Sequence, residues 1–201
     1  MDPSQPLLVA MKGHPGTGKS TLARAISSSL HYPLLDKDDI RDSTDAVQRS
    51  LPPDLAHSLL NDLSYSALSR LAETQLGLGL PGIVVDSPLS NRARLDDLLQ
   101  VARAHRARVA VVECRPGDEA EWRRRLEARG EGGGEGRRGW HKPKDWEELR
   151  RLVEGYGGRA DYDAEGVPWL VVDTTARGGE VEGVAKEVVR FLRGVVGGEH
   201  D

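Results

Sequence analysis

Short apolar runs alternate along the chain with longer segments of helical spacing. Runs that are apolar at consecutive positions are typical of strands covered on both faces, and they occupy residues 7–11, 33–35, 83–85, 109–112 and 169–172. The segments between them repeat apolar residues at helical intervals over residues 20–30, 53–76, 92–105, 118–129, 145–156 and 180–196. This alternation predicts crossover connections and therefore a parallel α/β sheet with helices on both faces.

Acidic residues follow four of the five apolar runs: Asp36, Asp86, Glu113 and Asp173. In a parallel sheet the ligand binds at the carboxyl ends of the strands. We therefore expect the chemistry of this protein at the edge where these carboxylates meet.

The composition narrows the class of protein. The 201 residues fit one domain, spanning 1–201, and the net charge of −4 argues against a general nucleic-acid binder without excluding one. The single cysteine, Cys114, excludes an intramolecular disulfide and favours a reducing compartment, so we expect a cytoplasmic protein. No apolar run is long enough for a membrane span. A monomer is the default expectation.

A phosphate-binding motif follows the first apolar run. Residues 13–20 read Gly-His-Pro-Gly-Thr-Gly-Lys-Ser and match G-x-x-x-x-G-K-[ST] between a predicted strand and a predicted helix. The glycines let backbone N–H groups surround a pyrophosphate, Lys19 supplies a charge for the β- and γ-phosphates, and Ser20 is a ligand for Mg²⁺. The predicted nucleotide-binding residues here are Gly13, Pro15, Gly16, Thr17, Gly18, Lys19, Ser20 and Thr21.

Two acidic positions further along the chain indicate what the nucleotide is used for. Asp38 follows the second predicted strand, where a carboxylate can accept the proton of an attacking hydroxyl, and Arg41 is a candidate clamp on the substrate or transition state. The alternative is that Asp38 or Asp39 caps a helix. Asp86, at the end of the third strand, suits either a magnesium contact through water or a substrate contact.

In their order along the chain, these elements and the Arg-x-x-x-Arg-Gly segment at 125–130 resemble the small P-loop kinases that phosphorylate hydroxyl groups. That group includes gluconate kinase, chloramphenicol phosphotransferase, zeta-toxin-like kinases and polynucleotide 5′-hydroxyl kinases. The resemblance implies a three-layer α/β P-loop NTPase fold, a five-stranded parallel sheet in the order 2-3-1-4-5, and a mobile lid at about residues 125–145.

The resemblance also implies roles for individual residues. Asp38 is the expected general base and Arg41 the expected contact to the acceptor. Arg125 and Arg129 are expected to reach the transferring phosphate and the nucleotide from the lid. Thr174 lies in the segment that resembles the adenine-holding loop of this superfamily.

Two stretches depart from the general kinase pattern: the glycine-rich tract at 130–139 and the segment from Trp140 to Trp146. They look like uncharacterised kinases of the same superfamily known chiefly from plants. His141 and Lys142 either contact phosphate or substrate when the lid closes, or belong to a segment that Trp140 and Trp146 anchor to the surface. Asp145 is expected to cap the next helix, with Glu148 completing a capping box.

The sequence thus predicts an ATP- and Mg²⁺-dependent phosphotransferase acting on a hydroxyl of a small molecule. One alternative is a polynucleotide 5′-hydroxyl kinase. Another, of a different class, is a nucleotide-binding NTPase switch. The acceptor itself is not identified by any residue pattern.

Overall fold

The computed structural model describes residues 5–131, 141–176 and 180–197. The strands within them are β1 (Leu7–Lys12), β2 (Leu34–Asp36), β3 (Gly82–Asp86), β4 (Arg108–Arg115) and β5 (Trp169–Asp173). The helices are α1 (Lys19–Leu30), α2 (Lys37–Asp42), α3 (Asp45–Ser50), α4 (Pro53–Gly77), α5 (Arg92–Ala104), α6 (Glu119–Glu131), α7 (Trp146–Gly155) and α8 (Val181–Gly197).

The five strands form one sheet in the order β2-β3-β1-β4-β5. All four neighbouring pairs are parallel. Register places Met11 and Asp36 both opposite Asp86, so the ends of β1, β2 and β3 lie side by side. The predicted fold class and strand order are confirmed.

The sheet separates two apolar cores, because successive side chains of a strand point to opposite faces. Leu7, Val9 and Met11 of β1 pack on the face covered by α1 and α8. Leu8 and Ala10 pack on the other face, against α4 and α5. β1 is buried along its whole length and holds the loop after it between the two layers. None of the helices in the described residues combines the length and apolarity needed to cross a membrane.

Two short helices, α2 and α3, lie between residues 37 and 50, where the apolar pattern predicted none. α2 begins after Asp36, whose carboxylate accepts a hydrogen bond of 2.9 Å from the Asp38 N–H. The alternative that Asp38 or Asp39 caps the helix is therefore wrong. Asp36, which precedes both of them, is the N-cap residue.

The segment before α7 is fixed by its own capping contacts. The Asp145 carboxylate accepts from the Glu148 N–H at 2.8 Å, as predicted, and the Glu148 carboxylate accepts from the Lys144 N–H at 2.8 Å. The capping box therefore closes one residue earlier than its usual form. Residues 132–140, which include most of the glycine-rich tract, Trp140 and the centre of the predicted lid, lie outside the described residues.

Candidate active site

The loop between β1 and α1 has a backbone that requires glycine. Gly13, Gly16 and Gly18 have φ angles of 147°, 83° and 83°, in a region that L side chains rarely adopt. A Cβ at Gly13 would also lie 2.8 Å from the backbone oxygen of Cys114. The predicted phosphate loop thus has the conformation that the motif implies.

Hydrogen bonds from three directions hold this loop. The Thr17 hydroxyl donates to the His14 carbonyl at 2.9 Å, and the Thr174 hydroxyl donates to the Thr17 carbonyl at 2.5 Å. The indole N–H of Trp122, on α6, donates to the Pro15 carbonyl at 2.9 Å. The structure thus shows Thr174 bracing the phosphate loop, and its place near the adenine stays a prediction.

An aromatic cluster joins the loop to the helices around the predicted lid. The His14 ring stacks between Trp122, at 6.2 Å, and Tyr156, at 5.7 Å. Trp122 meets Trp146 edge to face at 5.1 Å. Trp146 therefore anchors its segment, in line with one of the two alternatives, and its partner is an aromatic residue of α6 that no motif singled out.

Lys19 forms a buried ion pair with Asp86. Burial favours the neutral form of Lys19, but the carboxylate of Asp86 outweighs it and raises the pKa of Lys19. The second carboxylate oxygen of Asp86 is buried and has no hydrogen-bond partner among the described residues. An oxygen of this kind is open to a further cationic partner.

The residues around this pair fit a magnesium ion. Ser20 lines the cavity next to Lys19, and hydroxyl and carboxylate oxygens are the ligands that Mg²⁺ prefers. Within the described residues, no group of three or more His, Cys, Asp or Glu side chains could hold a metal ion. The ion would therefore depend on nucleotide oxygens and water in addition to Ser20 and Asp86.

Asp36 lies beside Asp86 at the end of the neighbouring strand. Burial, together with the negative charge of Asp86, raises the pKa of Asp36 to about 6. The sequence places Asp36 at a strand end. It does not indicate that the neighbouring carboxylate of Asp86 raises the pKa of Asp36.

Three basic side chains surround Asp38. Its carboxylate lies 3.2 Å from His141 Nε2, 2.6 Å from Lys142 Nζ and 3.4 Å from Lys37 Nζ. Burial alone would raise the pKa of Asp38, but these partners together hold it well below its usual range. Asp38 is therefore ionised, as a group that takes up the proton of a substrate hydroxyl must be.

Arg41 is buried and joins two helices. Its side chain is 1% exposed, and its guanidinium donates to the hydroxyl of Thr44 at 2.7 Å and to the amide oxygen of Gln48. These contacts tie α2 to α3 beneath the cavity. The structure does not bring Arg41 to the cavity surface, and its contact with the acceptor stays a prediction.

The two arginines expected from the lid both line the cavity. Arg125 donates to the Thr174 carbonyl at 3.0 Å and pairs with Glu121 at 2.7 Å. Arg129 donates to the Pro143 carbonyl at 3.2 Å. Arg125 thus borders the nucleotide side, and Arg129 holds the segment that carries His141 and Lys142.

A cavity of about 960 Å³ connects these groups. Its lining includes residues of the phosphate loop together with polar residues of α2, α3 and α4. The predicted site residues on its wall are Gly13, Pro15, Gly16, Gly18, Lys19, Ser20, Thr21, Asp38, Arg125 and Arg129. One space therefore gives access to both the phosphate loop and the candidate base.

A family model described as an AAA domain matches residues 8–151, which include the predicted phosphate loop, Asp38, Asp86, Arg125 and Arg129. The chain belongs to this AAA domain family. No curated protein matches this AAA domain protein significantly by sequence.

Several solved structures share the fold of this AAA domain protein over nearly the full length of the chain. A gluconokinase from Sinorhizobium meliloti 1021 has a TM-score of 0.63 at 20% identity, covering 96% of this chain and 95% of its own. A shikimate kinase from Acinetobacter baumannii has a TM-score of 0.60 at 12% identity, covering 94% and 93%. The APS kinase CysC of Mycobacterium tuberculosis, solved with AMPPNP and APS, has a TM-score of 0.57 at 17% identity, covering 94% and 98%.

Proposed function

We propose that the protein is an ATP-dependent kinase that transfers the γ-phosphate to a hydroxyl group of a small molecule. The observation that carries this proposal is the shared cavity, in which an ionised carboxylate, Asp38, and a phosphate-binding loop face the same space. A nucleotide switch needs the loop but has no use for a carboxylate and further polar side chains lining the same cavity.

The nucleotide side provides positive charge for the transferring group. Backbone N–H groups of the phosphate loop and the ammonium of Lys19 bind the phosphates, and Arg125 borders the nucleotide beside Thr174. Ser20 and Asp86 would hold Mg²⁺, which neutralises phosphate charge when bound. Catalysis of this kind consists mainly of positioning and charge stabilisation.

The acceptor side provides orientation. An ionised Asp38 accepts a hydrogen bond from the acceptor hydroxyl, directs its oxygen at the γ-phosphate and takes up the proton as the new bond forms. Because its pKa is low, Asp38 acts chiefly by orienting the hydroxyl and does not hold a proton in the resting enzyme.

Three solved neighbours support a small acceptor, since their names describe kinases of gluconate, shikimate and APS. The net negative charge of the chain disfavours a polynucleotide as the acceptor.

The only cysteine, Cys114, is a core residue. Burial raises the pKa of its thiol to about 12, so the thiol is inert. A single buried thiol is consistent with a reducing compartment such as the cytoplasm.

Transfer of labelled γ-phosphate tests the proposal. Wild type, Asp38→Asn and a matched control, Asp97→Asn, are incubated with Mg²⁺ and γ-labelled ATP, either with a fractionated metabolite extract or with a 5′-hydroxyl oligonucleotide. Asp97 is 53% exposed on α5, away from the cavity. We expect label in a small molecule with wild type and the control, and a loss of at least about 100-fold with Asp38→Asn.

Label in the oligonucleotide alone would instead support the polynucleotide kinase. Hydrolysis without transfer, unchanged in Asp38→Asn, would contradict the proposed base and favour an NTPase switch.

A further inference from the structure

Two carboxylates of α2 share a partner that comes from a distant part of the chain. Asp38 and Asp42 are separated by one helical turn, so they lie on the same face and their charges repel. The His141 ring lies between them, with Nε2 at 3.2 Å from Asp38 and Nδ1 at 3.2 Å from Asp42. Its side chain is 9% exposed. Nε2 makes a hydrogen-bond contact with Asp38, whereas Nδ1 lies at ion-pair distance from Asp42 without the angle of a hydrogen bond.

The segment that carries this ring, residues 141–145, is fixed at several points and is called here the bridging segment. Arg129 donates to the Pro143 carbonyl at 3.2 Å. Glu148 accepts from the Lys144 N–H at 2.8 Å, and Asp145 caps α7. Its Lys142 reaches the other oxygen of Asp38 at 2.6 Å. The bridging segment therefore contacts α6 and α7 on one side and Asp38 of α2 on the other.

These contacts leave Asp38 open to a substrate. A carboxylate has about four lone-pair positions. His141 and Lys37 approach Oδ1, and Lys142 approaches Oδ2, so Oδ2 keeps a position for another donor. The Asp38 side chain is 14% exposed, and it lines the cavity.

We propose that His141 is a positioning residue for phosphotransfer, whose imidazole bridges Asp38 and Asp42 and holds the Asp38 carboxylate toward the acceptor hydroxyl. This role rests on the proposed function. His141 acts through Asp38 and does not touch the reacting atoms. Without the bridge, repulsion from Asp42 and attraction by Lys37 and Lys142 set the orientation of the Asp38 carboxylate. A displacement of about 1 Å at a reacting group lowers turnover by about 100-fold.

A kinetic mutant cycle tests this role, with labelled ATP and the metabolite fraction that wild type phosphorylates as the probe. The variants are His141→Gln, Asp42→Asn and the double variant. The matched control is His105→Gln, at the end of α5, which does not line the cavity. We expect each single variant to lower kcat by about 10- to 100-fold, with KM for ATP within about two-fold of wild type.

The double variant separates positioning from general damage. Residues that act as one unit have non-additive effects, so we expect it to be no slower than the slower single variant. In an Asp38→Asn background, His141→Gln should cause no further loss. Because Asp42→Asn removes the other half of the bridge, it provides the same test should His141→Gln fail to fold.

Wild-type kcat in both single variants, or effects that multiply in the double variant, would overturn the role of His141. A rise in KM for ATP with unchanged kcat would also overturn it, because it would place the residue on the nucleotide side. If wild type phosphorylates nothing, the proposed function fails and this role fails with it. If wild type is active and His141→Gln equals it, only the role of His141 fails.

Discussion

The ammonium of Lys19 is needed by two partners. In the structure it neutralises Asp86, which is fully buried, whereas a bound nucleotide would draw the same charge toward its phosphates. A second cation would then have to neutralise Asp86. The carboxylate oxygen Oδ2 of Asp86, which has no hydrogen-bond partner among the described residues, is where that cation would bind. Nucleotide and magnesium binding are therefore expected to be coupled through this one carboxylate.

Removing the charge of Lys19 is expected to leave the buried carboxylate of Asp86 without its ion-pair partner. Lys19→Met should lower the free energy of unfolding by about 3 kcal/mol or more, because an unpaired charge is left in the core. Lys19→Met combined with Asp86→Asn should recover part of that loss, although neither protein should bind ATP. Urea unfolding of the two variants and wild type measures the difference. Equal stabilities of the single and double variants would mean that the pair is not buried in solution.

Asp38 contributes to stability as well as to the site, with a defined dependence on pH. Its folded-state pKa lies well below the ordinary value of 3.8, so its stabilising effect is present above that value and is lost as the pH falls below it. Asp38→Asn should therefore be less stable than wild type at pH 7 by about 1–3 kcal/mol. The gap should narrow below about pH 4. Denaturant titrations at pH 7, 5 and 3 measure it, and a constant gap would contradict the ion cluster.

At the scale of elements, the strands and long helices could be predicted because burial sets their pattern. A strand such as β1, covered on both faces, must be apolar throughout, and that run is visible in the sequence. α2 and α3 could not be predicted in this way, since six polar-rich residues show no helical period. These helices are stabilised by the Asp36 cap and by the hydrogen bonds of Arg41, which join the two helices.

The same contrast holds for the site. The phosphate loop is a local motif, and its eight residues suffice to identify it. The contact between Asp38 and His141 joins residues 103 positions apart, and no spacing rule connects them. Trp122 was missed for the same reason, because its hydrogen bond to Pro15 spans 107 positions.

The conformation of the phosphate loop gives a test at a single glycine. Gly13→Ala places a Cβ against the Cys114 carbonyl and should cost about 3 kcal/mol of stability and most nucleotide affinity. The control is Gly157→Ala, which also has a positive φ, of 55°, but has no atom within 4 Å of the added Cβ. It should cost only about 1 kcal/mol and leave nucleotide binding intact. Thermal unfolding and AMPPNP titration compare the two, and equal costs would place Gly13 in a looser loop.

For the molecule as a whole, a nucleotide that binds only the folded state must raise its stability. AMPPNP with Mg²⁺ at about 100 times its Kd should add about 2.7 kcal/mol. For a chain of this length that corresponds to a rise in Tm of about 5–10 °C. Differential scanning calorimetry measures it, with Lys19→Met as the variant that should show no shift. An unchanged Tm in wild type would contradict nucleotide binding at the loop.

Features of the whole molecule that lie beyond the fold stay predictions. A monomer is still expected, although Leu55, Leu59 and Leu63 form an exposed apolar row at intervals of four along α4. The likeness to plant-type kinases rests on the glycine-rich tract at 130–139 and on the segment from Trp140 to Trp146, and residues 132–140 lie outside the described residues.

The hydrogen bond from the Trp122 indole to the phosphate loop has a practical consequence. Indole emission responds to its hydrogen-bond partner and to nearby charge, and this ring touches the loop that receives the phosphates. The emission of Trp122 is therefore expected to change when a ligand binds at the loop. Spectroscopy of the unlabelled chain can follow ligand arrival in real time, before any product of the reaction is known.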